Sequence, residues 1–173
     1  MALPRAPDRL SDDMAAAIGH AVSAFGFLEE ALKRAIFSLT RQQLGQDVTE
    51  AALQAWLHRI EEIADDTLGT LIDSFAAAMK QARIEGRETL SDDLRQLRLM
   101  RNLLCHASWR PGKEPGQWHA TFINTRGERF PDEMDPAAVH AIHADTLRAA
   151  RRVVSIMRGT GIDGEWAGHD PGA

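Results

Sequence analysis

The 173-residue chain has a single cysteine, Cys105. A lone thiol excludes an intramolecular disulfide and any metal site built from several cysteines. It suits a reducing compartment, and a cytoplasmic protein is the expectation. Long apolar runs are also missing. No window approaches the roughly 18 apolar residues of a membrane span, and the opening Met-Ala-Leu-Pro-Arg-Ala-Pro-Asp has no apolar leader core, so no membrane partner is expected. Positive charge is in deficit, with a net charge of −5. No general basic field would draw in nucleic acid, and RNA or DNA binding would need a local basic patch. Lysine is scarce at 3 residues against 17 arginines. Arginine is the cation that grips phosphate through two parallel hydrogen bonds.

What is present is the composition of one globular domain, 44% hydrophobic and 26% charged, long enough to close its own core. The expectation is a single domain over 1–173, with flexible ends at 1–10 and 159–173. Ser11-Asp12-Asp13 reads as a helix start. Met14, Ile18, Ala21, Phe25, Leu28, Leu32 and Leu39 then recur at three- and four-residue steps until Gly45. Thr49-Glu50 opens a second helix with the stripe Leu53, Trp56, Leu57, Ile60, Ile63 and Ala64. A break at Asp66–Thr70 precedes a third, which carries Leu71, Ile72, Phe75 and Met79 and fades at Glu85-Gly86. Ser91-Asp92-Asp93 is read as the cap of a fourth, and Asp135-Pro136 as the cap of a last helix through Met157. Between these two, Trp118–Ile123 is β-prone, and Asn124–Gly127 is a turn candidate before Arg129-Phe130. The fold class is therefore all-α: an antiparallel bundle of about five helices with a small β-hairpin insertion near 117–130.

Two places on the helices are chemically out of character. Glu29 falls within the apolar arc of the first helix, flanked by Val22, Phe25, Leu32 and Ile36, and a carboxylate there wants a cationic partner. On the fourth helix the core arc runs Leu90, Leu94, Leu97, Arg101, Leu104, which puts Arg101 in the middle of the stripe. Cys105 follows the same arc and reads as a packed thiol. Asn102 and His106, one turn apart, share a different face near Leu99 and Leu103, so this helix looks apolar on two sides. Composition alone predicts an Arg followed five positions later by His about 0.7 times in such a chain, and an Asn next to the Arg lowers the expectation to about 0.01.

Arg101-Asn102-Leu103-Leu104-Cys105-His106 resembles the signature of HEPN (higher eukaryotes and prokaryotes nucleotide-binding) domains, which is Arg, a polar residue, three to five more residues, then His. The helical layout over most of 11–158 is also similar, including a Glu on the long first helix. Residue-level matching is confined to Arg101, Asn102 and His106. The resemblance implies a homodimer that joins two motifs in a cleft, acting as a metal-independent endoribonuclease with no cofactor. It further implies a bacterial toxin or defence factor whose partners are RNA and a protein antitoxin or regulator. In that setting Arg101, Asn102 and His106 are the catalytic candidates and Glu29 a support that holds the guanidinium. The alternative is a catalytically inactive HEPN-like dimer with a binding or regulatory role.

Other signals are read more plainly. Arg110 and Lys113, just after the motif, are candidate nucleic-acid contacts. Trp109, Trp118 and Phe122 beside them could stack bases, but packing of the hairpin over the helix end is favoured. His140 and His143 could meet a metal with His119, although without an HExxH pattern helix-surface histidines are preferred, and no metal site is expected. Arg148, Arg151, Arg152 and Arg158 form the densest basic run, read as a solvated face.

Overall fold

The computed structural model describes residues 9–45, 47–122 and 133–161. Among the described residues there are five helices, with one two-stranded hairpin between the fourth and fifth, which makes the protein all-α with a β-hairpin. No helix among the described residues is long and apolar enough to cross a membrane.

Helix α1 spans Asp12–Gln43. Ser11 Oγ accepts from the Met14 N–H at 3.3 Å, and Asp12 and Asp13 lie in the first turn, where the helix dipole favours negative charge. Its buried side chains, Met14, Ala17, Ala21, Ala24, Phe25, Leu28, Ala31, Leu32, Ala35, Ile36 and Leu39, keep the expected spacing. Gly45 follows at φ +68, a conformation that a side chain would resist. Helix α2, Glu50–Ala64, is capped by Thr49, whose hydroxyl accepts from the Ala52 N–H. Helix α3, Leu68–Gln81, is capped in the same way by Thr67. It ends earlier than its pattern suggested because Arg83 turns left-handed at φ 54 and the Ile84 N–H closes back on the Met79 carbonyl at 3.0 Å.

Helix α4, Arg87–His106, starts a turn before the expected cap. Ser91 is not a cap but a buried residue inside the helix. Leu90 is buried together with Leu94 and Leu97, so the apolar stripe begins ahead of Ser91 and draws the helix with it. Helix α5 spans Pro136–Arg158, with Asp135 Oδ1 accepting from the Ala138 N–H at 2.7 Å.

The described hairpin has a strand that the sequence pattern did not mark. Strand β1, Ser108–Pro111, pairs antiparallel with β2, Trp118–Thr121. The predicted β-prone stretch is thus the second arm, and its partner is the segment that directly follows α4. The two Pro-Gly pairs form the connection, tied by the Gly112 N–H to the Gln117 carbonyl at 2.7 Å. A Cβ on Gly112 would stand 2.8 Å from that of Gln117, so the turn needs glycine. Trp109 opposite Ala120 and Pro111 opposite Trp118 define one face, on which Trp109, Trp118 and Ala120 are buried. The expected turn at Asn124–Gly127 and the arm at Arg129-Phe130 lie outside the described residues.

The chain divides into two compact units. The first takes the described residues of 9–26 and 96–147. Its core joins Met14, Ala21 and Phe25 with Leu103, Leu104, Trp109, Trp118, Val139 and Ile142. The second takes 27–95 and 148–161, with Leu32, Ile36, Leu71, Ile72, Phe75, Leu90, Leu94 and Val153 at its centre. Within the second unit α2 buries little of its own surface. The Trp56 indole donates to the Thr40 hydroxyl at 3.0 Å, its ring lies 5.0 Å from that of Phe37, and only Ile63 of the helix is buried.

Candidate active site

The motif occupies the last turns of α4, inside the first unit. Leu103 and Leu104 are buried and anchor this end of the helix, while Arg98, Leu99, Met100, Arg101 and Asn102 are all half-buried. Arg101 is therefore not a core residue, as its place in the stripe suggested. The buried arc passes to Leu103 and Leu104 and leaves the guanidinium at the margin. Cys105 is exposed rather than packed, because it lies past Leu104 on the final turn and the helix ends at the next residue. His106 is also exposed.

The structure brings Arg101 and His106 together. Arg101 Nη1 stands 3.5 Å from His106 Nε2. The helical wheel had set them on separate faces, since five residues turn a helix through about 500°. The length of the arginine side chain closes that gap. A guanidinium has only donors, so donation here makes His106 Nε2 the acceptor and places the ring proton on Nδ1. At 3.5 Å the contact is at the long limit of a hydrogen bond and exchanges readily for a better acceptor.

The hairpin supplies the second constraint on the imidazole. Ser108 pairs with Thr121, and one step further along the antiparallel register brings Phe122 alongside the end of α4. The Phe122 ring stacks on His106 with centroids 6.1 Å apart and planes 25° from parallel. The ring is thus fixed on one face by Phe122 and at its Nε2 edge by Arg101, and it remains exposed.

The other expected residues are placed less closely. Asn102 is half-buried one turn before His106. Arg110 is exposed and opposite His119 in the hairpin, on the face away from Trp109. Lys113 is exposed in the turn, where its backbone N–H donates to the Glu133 carboxylate at 2.8 Å. Glu29 is half-buried on α1 rather than buried, and belongs to the second unit. Trp109 and Trp118 pack in the hairpin, which leaves Phe122 as the aromatic that meets the motif. His140 and His143 lie beside His20, their ring centroids 6.5 and 6.3 Å from it. Among the described residues no group of three His, Cys, Asp or Glu side chains is placed to hold a metal ion. Arg151, Arg152 and Arg158 are exposed, and Arg152 pairs with Asp93 at 2.8 Å.

Sequence reasoning foresaw the hairpin packing over the helix end, but not two particular contacts. Phe122 meets His106 through the pairing of β1 with β2, which depended on which segment supplied the first strand. His20 joins the two α5 histidines only through the packing of separate helices. Compared with known proteins, the chain matches no family model, no curated protein and no solved structure.

Proposed function

We propose that this protein is a HEPN-type endoribonuclease that cleaves RNA without a metal ion. In this reading it acts as a homodimer that brings two copies of the motif together, in the bacterial cytoplasm. It is a toxin or defence factor restrained by a protein antitoxin. One observation carries the reading: a cation and an imidazole sit 3.5 Å apart on an exposed helix end, with the imidazole presenting Nε2.

The chemistry follows from those two groups. His106 Nε2 accepts the proton of a ribose 2′-hydroxyl, a task suited to the unprotonated nitrogen of a neutral imidazole. The 2′-oxygen then bonds to the adjacent phosphorus as the P–O5′ bond breaks. The departing 5′-oxygen takes a proton from an imidazolium, supplied in a dimer by the same side chain of the second copy. Arg101 exchanges its long contact with His106 for the phosphate oxygens, where charge builds in the five-coordinate transition state. Asn102 binds a phosphate oxygen or orients the imidazole from one turn away. The products are a 2′,3′-cyclic phosphate and a 5′-hydroxyl.

A catalytically silent binding dimer is the second reading, favoured by the net charge of −5, since affinity for RNA leans on phosphate neutralisation. Incubation of the purified protein with a panel of RNAs in EDTA separates the two. Cleavage to 2′,3′-cyclic ends that disappears in His106→Ala and in Arg101→Ala is the expected result. Intact RNA after incubation with a folded dimer would contradict the enzyme and leave the binding protein.

A further inference from the structure

The arginines of α4 do not share one environment. Arg87 and Arg95 each meet a carboxylate, Glu88 at 2.9 Å and Asp92 at 2.8 Å. Arg98 is half-buried, and its Nε is buried with no hydrogen-bond partner among the described residues. A charged donor sheltered from water without an acceptor is unfavourable, and the half-buried guanidinium loses that deficit if it turns outward to meet an anion at the helix surface. Its position on the helix says which anion. Arg98, Asn102 and His106 are four residues apart in sequence and form one row along α4. The row runs about 12 Å from Arg98 to His106, with Arg101 beside it.

We propose that Arg98 is a substrate-binding residue that grips a phosphate flanking the scissile one, so that the RNA backbone runs along α4 from His106 towards Arg98. This rests on the ribonuclease reading and deepens it by giving the strand a direction and a second phosphate contact. Arg101 serves the reacting phosphate next to His106, and Arg98, a turn further back, serves a phosphate that does not react. The Arg98 fork suits this task because its donors lie in a fixed plane and one of them lacks a partner among the described residues. The site also offsets the acidic net charge locally, as binding to a polyanion requires.

The test uses a fluorescein-labelled single-stranded RNA oligonucleotide and the full chain carrying His106→Ala, so that binding is read without cleavage. Fluorescence anisotropy across a salt series compares this protein with the same protein carrying Arg98→Gln or Arg98→Lys. The expected result for Arg98→Gln is binding weakened about tenfold, with the salt slope shallower by about one phosphate contact. Arg98→Lys should recover part of both, and this variant keeps the test open where glutamine disturbs folding. An unchanged affinity and slope for a folded Arg98→Gln protein overturns the role of Arg98 and leaves the ribonuclease reading intact. If the His106→Ala protein binds no RNA at any salt concentration, the ribonuclease reading falls and this assignment with it.

Discussion

Along the first stretch of α4, Leu90, Ser91, Leu94 and Leu97 are buried, and Asp92, Asp93, Arg95 and Gln96 between them are exposed. From Arg98 to Asn102, five residues in succession are half-buried. The first stretch is a one-sided helix, with carboxylates and an arginine paired in water on its open face. The second is partly covered all the way round, and two guanidinium groups and an amide share that cover with Leu99 and Met100. A helix that only fills a core has no use for the second arrangement. Partial shelter strengthens the electrostatics of the polar groups relative to bulk water and still leaves them open to a ligand.

Substitutions should therefore separate the two stretches. The largest effect expected is at the exposed end, where His106→Ala should lower RNA cleavage by about 10²–10⁴-fold with little change in the thermal midpoint. A large fall in that midpoint would mean that the imidazole is structural. Leu94→Ala, in the one-sided stretch, should cost about 2–5 kcal/mol in urea denaturation. A loss well below 1 kcal/mol would remove the contrast between the stretches. Smallest should be Phe122→Leu, which removes a ring contact worth about 0.5–1.5 kcal/mol and should slow cleavage up to tenfold with the protein still folded.

Local rules explain why much of the fold was legible. Helix starts at Ser11, Thr49 and Asp135 were marked by side chains that accept a backbone N–H three residues on. The long stripe of α1 follows from spacing alone. The start of α4 was misplaced because Ser91-Asp92-Asp93 imitates a cap, and the burial of Leu90 outweighs it. The pairing of Ser108–Pro111 with β2 was not foreseen because strand pairing is a non-local choice, and that segment is too short for its pattern to stand out. In the site, Arg101, Asn102 and His106 were visible as a spacing. The wheel assigned Arg101 and His106 to different faces because it follows Cβ directions, whereas the contact is made at the end of a long flexible side chain. Cys105 was misread for a related reason: the stripe it follows loses its cover where the helix stops.

The central claim is that Arg101 and His106 act as one unit on RNA. Its most direct test is the cleavage rate of the Arg101→Ala/His106→Ala double variant against the two single variants under the same conditions. Groups that act as a unit give strongly non-additive losses, so the double variant should cleave no more than about threefold slower than His106→Ala alone. Losses that multiply, or cleavage that survives in all three proteins, would contradict the account.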